Sequence, residues 1–416
     1  MANDPLSSLR FPEYRSFLFA MAAVFVATQV QSTVLGWQVF QLTHDPLSLG
    51  LVGLAEAIPF LALTLWGGWE ADRRDRRALS LWSLAVVGVS GAGLLAFSLL
   101  PLRSAVPLYA AQAVAGLGRA FFRPASAALA SELVPREQYH NASSWRSSVF
   151  HVAMVAGPAL GGGLVALGGS RIAYGVVVGL SAIGLVLLTT IRPRPRPAAP
   201  QGHVWSGLAE GVRFVFAQPV LLGAMSLDLF AVLFGGATAL LPIFATQVLK
   251  VGSFGFGILR AAPAIGSVAM SLVMARLSEL RRAGAVLLWA VALFGMTWMV
   301  FAVSHSYPLS IALLAIGGAL DNISVVLRGT LVQVWTPQEK MGRVAAVNGF
   351  FIGSSNELGA FESGLTARLL GLIPSVLLGG AMTLATVGLV AWRVPVLRKL
   401  DRVRPDEDPD AEAAAP

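Results

Sequence analysis

Twelve apolar runs follow one another along this chain, each roughly 20 residues long, the length a helix needs to cross a hydrocarbon core. They fall near residues 16–40, 48–69, 78–100, 106–130, 140–167, 171–191, 219–246, 253–277, 284–303, 308–334, 343–370 and 374–392. Inside lipid a run of this length must satisfy its own backbone N–H and C=O groups, so the sequence predicts α-helices throughout. The balance of residues agrees. Of 416 residues, 56% are hydrophobic and 12% charged, too few charges for a water-soluble surface.

The runs form two related sets. Ser48 and Gly50 recur as Ser253 and Gly255, and Arg76-Arg77 as Arg281-Arg282, at one fixed offset. Pro135, Glu137, Gly157 and Gly162 recur as Pro337, Glu339, Gly359 and Gly364 at a nearly equal one. The expectation is an all-α membrane protein with twelve transmembrane helices in two pseudo-symmetric six-helix bundles, residues 1–191 and 219–400. Parallel repeats of this kind build transporters that rock around a midplane site. The connection 192–218 opens as a Pro/Arg segment and continues as an amphipathic stretch, which predicts a hinge followed by an interfacial helix. The polar, Ala-rich tail 401–416 predicts disorder.

A formal net charge of +8 would point to nucleic acid in a soluble protein. Here the basic residues cluster in alternate connections: Arg10 and Arg15, Arg73 to Arg77, Arg136, Arg192 to Arg196, Arg276 to Arg282, Lys340 with Arg343, and Arg393 to Arg404. They act as topology signals that place both termini in the cytoplasm of a cell membrane, with no nucleic-acid partner expected. The polar opening Met1 to Arg15 and the long first run predict no cleavable leader. Cys is absent and the five His residues are scattered, so neither a disulfide nor a metal centre is expected. No G-x-x-x-x-G-K-[ST] loop occurs, so the energy source is expected to be an ion gradient, with no cofactor. No nucleophile–base pair suggests an enzyme, and no attached domain suggests a sensor.

Two segments carry a resemblance. Gly68-Trp69-Glu70-Ala71-Asp72-Arg73-Arg74-Asp75-Arg76-Arg77, at the end of the second run, resembles the loop signature of the major facilitator superfamily between helices 2 and 3. Asp75 stands where that signature usually has Gly, as in the enterobactin-exporter-like branch, and Gln333 to Val344 also resembles that branch. Ala153 to Gly162, with Gly157, Pro158, Gly161 and Gly162, is similar to the helix 5 motif of the superfamily's antiporters. Gly and Pro at this density soften a spanning helix and permit close contact with a neighbour. The resemblance implies a monomeric, proton-coupled exporter of small amphipathic compounds, drugs or catecholate siderophores. A lipid translocator and an uptake symporter are the alternatives within the same fold. The Arg typical of the superfamily's helix 4 is missing: Gln112 stands there, and Arg119 is the candidate to replace it.

An ionisable residue at a helix centre costs about 2.5–3.5 kcal/mol on insertion scales, so each one found there needs a role or a partner. Asp228, Asp321 with Asn322, and Glu357 lie near mid-depth, while Glu56 and Arg260 fall nearer the outer side. In the superfamily, helices 1, 4, 7 and 10 line the cavity, which implies that Gln29 or Gln31, Arg119, Asp228 and Asp321 share one space. Asp228 or Asp321 is expected to exchange a proton for substrate, unless Arg328, about two turns along the same helix, neutralises Asp321. Glu56 and Arg260, at nearly equivalent repeat positions, are expected to form an outer gate. Phe25, Phe121, Phe230, Phe234 and Phe351 are candidate aromatic contacts for an amphipathic or cationic substrate.

Overall fold

In the computed structural model, which describes residues 4–101, 103–194, 204–277 and 282–401, every regular element is helical. The principal helices are α1 (Pro12–Thr43), α2 (Pro46–Arg73), α3 (Arg76–Ser98), α4 (Val106–Glu132), α5 (Tyr139–Thr189), α6 (Val204–Ala217) and α7 (Pro219–Gly235). There follow α8 (Ser253–Met274), α9 (Ala283–Ala302), α10 (Tyr307–Trp335), α11 (Met341–Leu370), α12 (Leu372–Arg393) and α13 (Pro395–Lys399). Part of the Pro/Arg hinge (195–203), Arg281 of the repeated basic pair, and the tail beyond Asp401 lie outside the described residues.

The local chemistry explains the helix boundaries. Proline occupies the first turn of α1, α2, α4, α7 and α10, where its missing N–H is no loss. The Asp45 carboxylate accepts from Leu47 N at 3.2 Å to cap α2, and Asp75 accepts from Arg77 N at 2.9 Å to cap α3. The span α5 is interrupted by a kink, where Gly168 leaves the helical region and Gly169 takes φ +73°, a conformation open to glycine. This bend divides α5 into limbs 139–167 and 170–189, one for each of the fifth and sixth apolar runs.

The seventh run departs from expectation. Instead of one α-helix over 219–246, α7 ends at Gly235 and the chain continues through a 3-10 turn (Ala237–Leu240), a short helical turn (Leu241–Ile243) and a π-turn (Phe244–Val248). The Gly235-Gly236 pair favours the break, and Pro242 cannot donate a backbone hydrogen bond. Non-helical backbone at membrane depth persists only where protein buries it or where it lines a cavity.

Among the described residues, nine segments are long and apolar enough to cross a membrane, and one of them, Arg136–Thr189, contains both limbs of α5. Helices α4 and α11 are comparably long, 27 and 30 residues, but carry polar and charged groups along their length. Large apolar side chains point outward, with Leu167 83% and Trp392 69% exposed. Such a surface suits lipid.

The chain divides into two compact units, residues Met1–Gln201 with Lys250–Ala261, and Gly202–Leu249 with Ala262–Pro416. The start of α8, expected in the C-terminal bundle, thus belongs to the N-terminal unit. Its backbone approaches α5 closely: a Cβ on Gly257 would lie 2.6 Å from Pro158 O, so only glycine fits there. Phe256 stacks on Trp37 of α1 at 5.5 Å between ring centroids, and Arg260 Nη2 donates to Ser32 Oγ at 2.7 Å. In the N-terminal unit Tyr14, Phe17, Met21, Leu84, Phe122 and Leu188 form the main apolar cluster, and in the C-terminal unit Leu221, Met225, Leu287, Leu331, Val344 and Leu397 do. Lipid tails are as apolar as these side chains, so tight packing and buried polar contacts must hold the helices together.

Candidate functional site

In the N-terminal unit four helices contribute to one buried polar chain. Gln31 of α1 donates through Nε2 to Ser90 Oγ of α3 at 3.2 Å and to Gln112 Oε1 of α4 at 3.4 Å. Gln112 in turn donates to the Glu56 carboxylate of α2, and Arg119 donates to the other oxygen of the same carboxylate. Gln31, Ser90, Gln112 and Glu56 are all buried. Glu56 therefore lies level with the interior of α4, deeper than its place in the sequence suggested. Gln112 and Arg119, about two and about four turns into α4, both donate to this carboxylate.

Arg260 does not take up the Glu56 carboxylate, which Arg119 and Gln112 engage, and the expected outer gate is not the pairing formed here. Gln29 also leaves the expected set: it donates to Met154 Sδ and packs on Gly157 of α5. Gly161 packs on Thr33, so the Gly157–Gly161 face of α5 is the surface on which α1 rests. Pro158 is buried in the same stretch.

The C-terminal unit is built differently. Arg328 of α10 holds Asp228 of α7 at 3.1 Å, and through Nη1 it donates to Asn348 Oδ1 of α11 at 2.7 Å. Asp228 is 5% exposed and Arg328 3% exposed, so the pair is sealed from water and lipid alike. Asn322 is likewise committed: it donates to Ser267 Oγ at 3.0 Å and accepts from Ser271 Oγ at 3.1 Å, tying α10 to α8.

Asp321, one residue before, stands apart. It lies at the midpoint of α10 and is half-buried, and among the described residues none hydrogen-bonds or ion-pairs with its carboxylate. It lines a cavity of about 140 Å³ together with Gly236 and Thr238 at the break after α7, and Phe294, Trp298 and Phe301 of α9. It is the one charged residue among those lining this space. The three rings meet edge to face, at 6.4 Å from Phe294 to Trp298 and 5.5 Å from Trp298 to Phe301. Glu357 is half-buried on α11.

The aromatic candidates fall elsewhere. Phe121 packs between Trp66 and Trp82, Phe25 against Phe150, Phe230 against Phe234, and Phe351 onto the C-terminal core. The cavity rings were legible only as a spacing: Phe294, Trp298 and Phe301 stand at i, i+4 and i+7, one face of a helix.

The sequence profile described as Major Facilitator Superfamily matches residues 17–359. The chain belongs to the Major Facilitator Superfamily. It is 27% identical to the multidrug efflux pump Tap of Mycolicibacterium fortuitum over 396 residues, 92% of this chain and 96% of that one. It is 28% identical to the enterobactin exporter EntS of Salmonella choleraesuis over 338 residues, 80% of each. Its fold is similar to that of a POT family transporter crystallised with 5-aminolevulinic acid, at TM-score 0.74 and 11% identity over 92% of this chain and 96% of that one. It is also similar to a bacterial homologue of the human lysosomal transporter Spinster, at TM-score 0.71 and 16% identity over 93% and 96%.

The superfamily's loop between α2 and α3 is here fastened to two neighbours. Arg76 pairs with Glu132 of α4 at 2.8 Å, and Arg77 Nη2 donates to Thr189 O at the end of α5, also at 2.8 Å. Arg73 lies 4.0 Å over the Trp69 ring, Arg74 pairs with Glu70 at 2.5 Å, and Asp72 is exposed. Asp75, the departure from the signature, is the cap of α3. Gly68 faces open space, and it is the preceding Gly67 that meets the α4 backbone at Ala120.

Proposed function

We propose that this member of the superfamily is a proton-coupled exporter of small amphipathic compounds that works by alternating access through twelve membrane spans in two six-helix bundles. The nine apolar segments, the bend in α5 and the length of α4 and α11 support that count. Both termini face the cytoplasm of a cell membrane, and the chain acts as a monomer, without cofactor or nucleic acid, on the energy of a proton gradient. The export direction rests on similarity to the multidrug pump Tap and the enterobactin exporter EntS, together with the antiporter-like face of α5.

One observation carries the coupling assignment. Of the two mid-membrane aspartates, Asp228 is held by Arg328, whereas Asp321 borders a cavity with no side-chain partner among the described residues. A carboxyl group so placed can take up and give up a proton without breaking an ion pair. Asp321 is therefore the proton-exchanging residue, Asp228 and Arg328 position α7 against α10, and the Glu56–Arg119 pair with Gln112 is the fixed counterpart in the N-terminal unit. Asn322 and Glu357 flank the exchange site on α10 and α11.

The test uses everted vesicles containing the protein, acidified inside and read with a pH-sensitive dye. Cationic drugs, catecholate siderophores, sugars and lysolipids are added in turn. Proton release on adding an amphipathic compound, lost in Asp321→Asn, is the expected result. Release that persists undiminished in that variant overturns the assignment. Movement of lysolipid without proton release would replace export by lipid translocation, and accumulation driven by an inward proton gradient would replace it by uptake.

A further inference from the structure

We infer that the cavity inside the C-terminal unit is a binding site for a small organic ammonium group, seated between the Asp321 carboxylate and the Phe294–Trp298–Phe301 rings. The inference deepens the export reading and rests on it for Asp321 being the group that cargo meets. It adds a location and a chemistry that the reading does not contain.

Three features of the cavity decide what it takes. The first is charge: Asp321 is the one ionisable lining residue, and Arg328, the nearest cation along α10, is engaged by Asp228 and Asn348. An anionic ligand such as a catecholate would meet a carboxylate with no Lys or Arg among the lining residues. The second is the aromatic part of the lining, where three rings in edge-to-face contact offer the kind of π surface that attracts a cation and that a sugar or a hydrated metal ion does not use. The third is size. At about 140 Å³ the space is smaller than the roughly 300–1,000 Å³ of a drug-sized pocket. It holds a head group and leaves the rest of a larger molecule outside.

The break after α7 fits the same picture. Gly236 and Thr238 line the cavity where the helix has unwound, and Thr238 brings a hydroxyl to its rim. Unwound backbone of this kind at membrane depth marks ligand sites in other transporter architectures, because carbonyl groups freed from the helix become available to a cation. Asn356 of α11 adds a further polar side chain to the lining. None of the aromatic wall comes from the helices expected to line the transport cavity: all three rings are on α9.

The experiment compares choline with 3,3-dimethylbutan-1-ol, which has the same shape without the charge, by equilibrium binding to the full chain in lipid nanodiscs with no gradient. Choline should bind at least about tenfold more tightly than its neutral isostere. Asp321→Asn should erase that preference, and Trp298→Leu should weaken choline several-fold. Trp392→Phe, on the exposed surface, should change nothing. Equal binding of the two compounds to the unmodified protein overturns the site without recourse to any variant, as does choline binding undiminished in Asp321→Asn. Choline binding without any proton-linked flux in vesicles would remove the export reading and leave the site standing. Proton-linked flux of amphipathic compounds with no choline binding would do the reverse.

Discussion

The two units bury charge at membrane depth in opposite ways. In the N-terminal unit one carboxylate, Glu56, is met by two donors, and the donors continue through Gln112 to Gln31 and Ser90, so the chain is closed. In the C-terminal unit two aspartates face one arginine. Arg328 is taken by Asp228, and Asp321 is left at a cavity wall. A closed network is rigid, because each member would lose a partner by moving. A surplus carboxylate can exchange what it binds. The two units thus differ in whether the buried carboxylate is fully partnered or left at a cavity wall, although both are built from the same kinds of residue.

The strongest attempt to break the comparison removes Arg328. With its partner gone, Asp228 becomes an unpaired charge in a dry interior, and Arg328→Leu is expected to destabilise by about 3–5 kcal/mol, read as thermal unfolding in detergent. Combining it with Asp228→Leu should recover most of the loss. A single-variant effect under about 1 kcal/mol would mean the pair is not the clamp described here. Next in size, Glu56→Gln keeps the shape but removes the charge that Arg119 meets, for an expected loss of about 1–3 kcal/mol. A double-mutant cycle should couple Glu56 to Arg119 by at least about 0.5 kcal/mol and leave Glu56 and Arg260 additive. Significant coupling to Arg260 instead would restore the gate expected from the repeat.

Asp321→Asn tests the other side. Proton-linked flux should fall at least about tenfold, equivalent to roughly 1.4 kcal/mol, while the unfolding midpoint stays within about 0.5 kcal/mol of the unmodified protein. A large loss of stability would show that Asp321 is structural after all. The smallest effect is expected from Ser90→Ala, about 0.6 kcal/mol, the average for one interhelical hydrogen bond in a membrane protein, since Gln31 still has Gln112. A much larger effect would mark Ser90 as the keystone of the chain.

Which of these contrasts were legible in advance depends on how local the signal was. Helices, their approximate limits and the bend near residues 168–170 follow from apolar run length and from Gly168-Gly169, because such signals need only neighbours in sequence. The antiporter-like glycines of α5 are legible in the sequence, but their partner surface on α1 is not, and of the Gly67-Gly68 pair only Gly67 meets the α4 backbone. The break at Gly235-Gly236 was missed because the run stays apolar through it, and hydropathy does not register backbone geometry. Each mid-membrane acid was recognised as needing a partner. Which cation went to which acid was not recognisable: Arg328 was weighed as a partner for Asp321, on its own helix, and instead reaches Asp228 on another.

By itself the sequence determined a helical membrane protein of this superfamily with its charges at informative depths, because hydrophobic length and repeated motifs are written along the chain and lipid leaves the backbone few options. The tertiary structure decided the pairing of Arg119 with Glu56, the sealing of Asp228 and the exposure of Asp321 to an aromatic cavity on α9. Those depend on which helix faces meet. An ion pair forms across a few ångströms of space, and residues as far apart in sequence as Asp228 and Arg328 enter that distance only when the helices have packed.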